Sequence, residues 1–302
     1  MMILVVGGSG FIGRNFVQWA ANRGYSVTAT YCSRFDGPGS DFPLWCRNYP
    51  NVTPLECDLL NECPDLSGYD VCLYAAGNAN HTRALHDPVM DVQSNIISLL
   101  NFLATFHGRL VFMSSGAVYY GLRGPVSPLT PVFPTFPYAI SKYASEMYIR
   151  SFQERGILRE YLIVRFYYAY GPGEPRRRLI PQLMQAFGKE GRSEFTINGT
   201  GKTFMAPMYI SDVVEALGRM VLSSVANQTF DLCGETPMTL YEIVQRVGHF
   251  FGREVRVHYR DSEERPLEFW SSNEAARLVF GLAHQMSLEE GLELYWEYLR
   301  DS

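Results

Sequence analysis

The chain has 302 residues and a mass of 34.3 kDa, room for one large domain or two closely packed ones. With 47% apolar and 19% charged residues it cannot be disordered throughout. A formal net charge of −5 speaks against a general polyanion binder, so no nucleic-acid partner is expected.

Six cysteines, at 32, 46, 57, 63, 72 and 233, form no Cys-x-x-Cys pair and no zinc spacing. They point to a reducing, cytoplasmic setting and to no metal site. The opening MMILVVGGSGFIG lacks a basic leader and a small-residue cleavage signal, so it reads as the start of the fold. No run approaches the roughly 18 apolar residues of a membrane span.

In chain order, the apolar run from Met2 to Val6 predicts a first strand. A glycine-rich turn follows, then a helix over FIGRNFVQWAANRG that ends at Gly24. Further strands are expected from Val27 to Tyr31, Val52 to Cys57, Val71 to Ala75 and Arg109 to Ser114, with a helix from Val92 to Phe106. The segment 32–51 breaks this rhythm with Gly, Pro and Asp and predicts an irregular excursion holding one short helical turn. Five prolines, at 125, 128, 131, 134 and 137, predict an extended loop leading into a helix that begins near Tyr138. Another strand is expected from Tyr161 to Tyr167, and helices from Leu179 to Phe187 and Leu240 to Phe251. Strand and crossover helix in alternation imply an α/β fold, a doubly wound parallel sheet of the Rossmann type. Beyond about residue 171 the elements shorten, which predicts a smaller C-terminal α/β lobe over the sheet's carboxyl edge.

Gly7, Gly10 and Gly13 fall between the first strand and the first helix. Glycines there permit a tight turn and close approach by a diphosphate. The helix start, with Phe11 and Ile12, offers backbone N–H groups to the anion. No Gly-Lys-Ser/Thr follows, which disfavours a Walker-type site. Residues 1–170 are therefore expected to bind NAD(P) and residues 171–302 mainly to bind substrate, with 229–233 returning to the main sheet. The second strand ends in Tyr31, Cys32, Ser33 and Arg34, with Asp36 out of reach. With no carboxylate to repel a 2′-phosphate, and Ser33 and Arg34 able to bind one, NADP(H) is favoured over NAD(H). Asp58 and Leu59 are candidates to line the adenine; Asp58 is equally a turn residue.

Ser114 and Ser115 end the fifth strand, and Tyr138 and Lys142 stand four apart on one face of the next helix. A phenol of pKa near 10 needs a neighbouring ammonium before it can exchange a proton at neutral pH. A serine hydroxyl can orient the reacting oxygen.

Joined to the glycine turn, these residues resemble the extended short-chain dehydrogenase/reductase family, the NAD-dependent epimerases/dehydratases. The resemblance runs through GGSGFIG at 7–13, LYAAG at 73–77, SSGAVYYG at 114–121, PYAISK at 137–142, RFYYAYGPG at 165–173 and YISD at 209–212. It implies that Ser115 orients the substrate, that Tyr138 is the acid/base, and that Lys142 binds the nicotinamide ribose and tunes Tyr138. Ala75, Ala76 and Gly77 would pass beneath the cofactor as backbone, and Asn95 would be structural. Two-fold association is expected through the 92–106 and 138–152 helices, with Phe102, Phe106, Met147 and Phe152 as candidate contacts or core.

Departures from the family pattern narrow the reading. Gly116 and Ala117 stand where 4,6-dehydratases carry Asp-Glu, so sugar dehydration is not expected. Tyr168 replaces a frequent Asn, and FMAP at 204–207 replaces an Arg-Asp pair. Arg176, Arg177 and Arg178 are candidates for the missing positive charge, beside Arg265 of the retained Arg-Pro pair. His81 is a further candidate for substrate contact, and one of Tyr167, Tyr168 and Tyr170 is expected to line the pocket. The expected activity is NAD(P)-dependent oxidoreduction of a nucleotide-linked sugar, as a 4-keto-sugar reductase or a C4 epimerase. A reductase of smaller aldehydes or ketones and a non-catalytic NAD(P) sensor remain the alternatives.

Overall fold

Four consecutive residues of the first strand, Ile3 to Val6, are fully buried, as expected for a strand covered on both faces. In the computed structural model, which describes residues 2–32, 41–61, 63–262, 265–282 and 285–301, this strand lies inside a seven-stranded sheet. Its members are β1 (Met2–Val6), β2 (Ser26–Tyr31), β3 (Val52–Glu56), β4 (Val71–Tyr74), β5 (Arg109–Ser115) and the strands Glu160–Phe166 and Gln228–Leu232. β1 pairs in parallel with β2 on one side and β4 on the other, and β2 with β3, β4 with β5, and β5 with Glu160–Phe166 are parallel too. Chain order thus reverses between β1 and β4, which opens a crevice at their carboxyl ends.

The chain forms two compact units. The first comprises Met1–Tyr120, Pro131–Phe166 and Val214–Phe230; the second comprises Gly121–Thr130, Tyr167–Val213 and Asp231–Ser302. Residues 214–230 belong to the first because buried contacts fasten them there. Trp19 Nε1 donates to Glu215 at 2.9 Å, and the buried Arg109 donates to the Met220 and Val225 carbonyls and to Ser223 Oγ. Gly218 lets the Trp19 ring lie against its backbone, since a Cβ there would stand 2.0 Å from that ring.

Two helices pack against the sheet near the crevice. One begins at Asp87, whose side chain caps Met90 N, and runs through Pro88–Val92 and a π-turn at Gln93–Ile97 to Ser98–Leu103. The other is the 18-residue helix Pro137–Glu154, started by proline at its first position. Phe102 and Phe106 are fully buried and stack at 5 Å or less, with ring centroids 4.9 Å apart. They belong to the core with Tyr74 and Phe112, the second of the two places considered for them. Met147 is 56% exposed and stays a surface residue. In the 32–51 stretch the short helical turn is Phe42–Cys46. Ser33 and Arg34 lie outside the described residues. Among the described residues, no helix is long and apolar enough to cross a membrane.

In the second unit, Tyr168–Tyr170 pairs in parallel with Pro207–Tyr209, Arg256–Arg260 with Glu194–Asn198, and Glu268–Trp270 with Arg123–Pro125. A Thr239–Glu242 capping box starts the helix Leu240–Phe250.

The glycine turn depends on contacts that backbone atoms cannot relax. A Cβ on Gly13 would sit 2.1 Å from the Gly7 carbonyl oxygen. Gly13→Ala should cost about 1–3 kcal/mol or more and lower the melting temperature by several degrees. Thermal denaturation checks this, and an unchanged melting temperature would contradict it.

Candidate active site

The crevice between β1 and β4 is built from glycine and backbone. Gly7 has φ +84°, and a Cβ there would stand 2.7 Å from Ala76 N, so the turn presses against the segment that follows β4. Ala75 N donates to the Val6 carbonyl at 2.8 Å, and Gly77 at φ +129° passes close to Asn95 Oδ1. Gly10 is the N-cap of α1 (Phe11–Asn22) and offers no side-chain cap to the first N–H groups. A Cβ on Gly10 would meet only the Gly7 oxygen, at 3.3 Å, leaving an otherwise open face. An uncapped helix start with an open glycine face fits a dinucleotide diphosphate.

At the ends of β2 and β3, Tyr31 stands opposite Glu56 and its hydroxyl donates to Glu56 Oε2 at 3.4 Å. Asp58 accepts from Leu60 N and from Asn61 Nδ2, which makes it a turn-forming residue. Leu59 is buried, and its carbonyl accepts from Asn101 Nδ2 at 2.7 Å.

Ser115, Tyr138 and Lys142 are all buried in the first unit. The Lys142 Nζ donates to the Met113 carbonyl of β5 at 2.8 Å and lies 4.9 Å from the Phe112 ring centroid. Burial pushes its pKa down to about 8, against the opposing pull of Asp91 and then Glu146. The two serines separate clearly. Ser114 Oγ donates to Glu146 Oε1 at 2.6 Å, whereas Ser115 Oγ accepts from Ala117 N at 3.1 Å and keeps its own proton to give. His81 lies with its ring 4.5 Å from that of Tyr138 and 5.6 Å from that of Phe136.

Sequence reasoning missed the charged residues behind this set. Glu146 is fully buried and receives Arg165 through two bonds, Nε to Oε1 at 3.0 Å and Nη2 to Oε2 at 2.8 Å. Arg150 adds a contact at 3.1 Å, and Arg165 Nη1 donates to the Tyr119 hydroxyl at 2.9 Å. Burial opposes the charge of Arg165, but Glu146 and Tyr119 outweigh it and hold the guanidinium firmly protonated. Two signals were present: an arginine inside the apolar run YLIVRF, and a glutamate one turn beyond Lys142.

In the second unit, the Tyr168 hydroxyl donates to Glu174 Oε1 at 2.8 Å, and Arg178 Nε approaches the same oxygen at 3.2 Å. The Arg178 guanidinium carbon lies 4.4 Å from the Tyr168 ring centroid. Arg176, Arg177 and Arg265 are exposed. Tyr170 is buried, and its hydroxyl donates to the Leu288 carbonyl.

Two stability tests follow. Arg165→Ala leaves Glu146 a buried, poorly compensated charge and should cost about 3–5 kcal/mol in urea denaturation; a loss near that of an exposed arginine would contradict it. Burial raises the Glu174 carboxyl from 4.5 to about 7, against the pull of Arg178 and Tyr168. Folding therefore favours its protonated form, and the charge costs stability as the pH rises from about 4.5 through 7. Glu174→Gln should gain stability relative to the parent between pH 5 and pH 8, and parallel curves would contradict this.

The chain is 26% identical to the uncharacterized UDP-glucose epimerase YtcB of Bacillus subtilis, over 99% of this chain and 98% of that protein. It is 27% identical to a putative UDP-glucose 4-epimerase of Methanocaldococcus jannaschii, over 71% of this chain and 72% of the relative. Its fold is similar to that of a UDP-glucuronic acid 4-epimerase from Bacillus cereus solved with UDP-glucuronic acid and NAD. That match has a TM-score of 0.87 and 21% identity, and covers 100% of this chain and 99% of the other. The family description and the similar structures solved with NAD correct the expectation of NADP(H) to NAD. At the end of β2, Tyr31 pairs with Glu56 of β3 and donates to its carboxylate, while Ser33 and Arg34, on which the expectation of a bound 2′-phosphate rested, lie outside the described residues. With residues 3–233 matched by the NAD dependent epimerase/dehydratase family, the chain belongs to that family of enzymes.

Proposed function

We propose that this protein is an NAD-dependent C4 epimerase of a UDP-linked hexose or hexuronate. The observation that carries the reading is the buried set of Ser115, Tyr138 and Lys142 on β5 and the 137–154 helix, with no carboxyl group at Gly116 or Ala117. The absence of an acid pair at those positions speaks against sugar 4,6-dehydration. Reliance on NAD supports a closed redox cycle over a reductase that exchanges its cofactor. The names of the relatives, UDP-glucose and UDP-glucuronic acid epimerases, support the substrate class.

Gly7, Gly10, Phe11, Ile12 and Gly13 would hold the cofactor diphosphate, Leu59 the adenine, and Ala75 to Gly77 the backbone beneath the nicotinamide. Bound NAD supplies the acceptor and donor for hydride. Tyr138 takes the proton of the substrate hydroxyl and later returns it. Lys142 lowers the cost of the phenolate, since a free tyrosine has pKa near 10. The Ser115 hydroxyl donates to the reacting oxygen and fixes its direction. His81, against the Tyr138 ring, would border the sugar. In the 171–302 region Arg178, preset by Glu174 and Tyr168, would meet a substrate phosphate, with Arg176, Arg177 and Arg265 as further cations.

The same reading includes a cytoplasmic homodimer with no nucleic-acid partner. Val89, Val92, Ile140 and Met147 are each more than 40% exposed on the two helices near the crevice, and they support association through that face.

Proton NMR of UDP-glucose, UDP-galactose and UDP-glucuronate mixed with the protein, without added nucleotide, tests the activity. Conversion at C4 is expected, and Tyr138→Phe should lower kcat by about 10²–10⁴-fold. Turnover confined to 4-keto sugars with added reduced nucleotide would instead identify a reductase.

A further inference from the structure

Among the described residues, one buried carboxylate near this site has no cation in contact with it. Asp91 is 1% exposed. Its Oδ1 accepts from Asn78 Nδ2 at 2.6 Å and from Asn95 Nδ2 at 3.0 Å, while its Oδ2 is buried with no hydrogen-bond partner among the described residues. Both bonds come from neutral amides, and a buried carboxylate left so is costly unless another charge balances it.

Its surroundings lead to the catalytic helix. Asn95 Nδ2 also donates to Ser141 Oγ at 3.0 Å, and Ser141 donates to the Tyr138 carbonyl. Ser145 Oγ donates to the Asn95 carbonyl at 2.9 Å. Asp91 therefore stands at the junction of the 88–103 and 137–154 helices, at the level of Tyr138 and Lys142.

Lys142 poses the complementary problem. Its ammonium is buried, and its one hydrogen-bond partner among the described residues is the neutral Met113 carbonyl. Two carboxylates act on it. Glu146, on the same helix, is already occupied by Arg165, Arg150 and Ser114. Tyr138 shares the helix as well, and β5 presents only the Met113 carbonyl and the Phe112 ring. That leaves Asp91, buried, held by neutral amides alone and linked through Asn95 to Ser141 beside Lys142, as the uncommitted negative charge.

We infer that Asp91 is a positioning residue for the reaction: its carboxylate, held by Asn78 and Asn95, is the through-space counter-charge that keeps the buried Lys142 an ammonium. The inference rests on the roles proposed above for Tyr138 and Lys142, and deepens them. Tyr138 is served by a cation only while Lys142 carries its proton, so the charge of Asp91 sets the upper pH limit of the site.

The test is a double-mutant cycle on the full chain, read by urea denaturation at pH 7 and needing no turnover. Asp91→Asn keeps an acceptor for both amides but removes the charge, and it should destabilise the parent. In a Lys142→Met background, where the carboxylate has lost its cation, the same change should be neutral or stabilising. In the parent, loss of Asp91 should also move the alkaline limb of the kcat profile down by about one pH unit, a tenfold change in proton affinity. If Asp91→Asn does not fold, the Lys142→Met pair alone decides: rescue by Asp91→Asn supports the inference, and further loss overturns it. Additive effects with an unmoved alkaline limb overturn it as well. A failure of the proposed activity would appear separately, as a parent protein without turnover whose stability cycle is still coupled.

Discussion

The architecture around the crevice is governed by a lysine ammonium buried where water cannot solvate it. Taking such a charge out of water costs several kcal/mol unless dipoles and opposite charges replace the solvent. β5 supplies the dipole through the Met113 carbonyl, while the lysine's own helix carries the buried Glu146 and the neighbouring helix the buried Asp91. Each carboxylate then has its own need. Glu146 draws Arg165 and Arg150 to it, and Arg165 in turn reaches the Tyr119 hydroxyl. A single buried charge thereby sits within a polar network through an otherwise apolar layer, and the sheet and two helices must keep their register for it to close.

That dependence explains how the two serines differ. Their positions on β5 are adjacent, so alternation sends their side chains to opposite faces. Ser114 is drawn into the Glu146 network and has its proton committed; Ser115 faces the other way and caps the short turn Gly116–Tyr119. Sequence resemblance favoured Ser115, and of the two serines it is Ser114 whose proton goes to Glu146.

Much of the sheet was legible because its strands are short apolar runs separated by turn signals, and burial on both faces demands that composition. Tyr138 and Lys142 could be paired from their four-residue spacing on a helix. Compensating charge was harder to see. Asp91 sits in a stretch, DPVMDVQSN, where a carboxylate ordinarily points to solvent, and only the packing of two helices reveals that it is buried. Phe102 and Phe106 have the side chains of a surface contact or of a core, and the turn of their helix onto β4 and β5 decides for the core. The cofactor expectation rested on residues at the end of β2, of which Ser33 and Arg34 lie outside the described residues, and the similar structures solved with NAD overturn it.

The second unit carries a smaller version of the same theme, in which the buried Glu174 joins Tyr168 to Arg178. There Tyr168 and Arg178 are fixed by each other, so an anion would meet a guanidinium already oriented. The most direct test of the whole account is the identity of the nucleotide released when freshly purified protein is denatured, expressed per mole of chain. The account predicts NAD in near-stoichiometric amount, retained because hydride leaves and returns within one closed cycle. NADP(H) in its place, or a protein that retains no NAD and turns over only with added reductant, would contradict it.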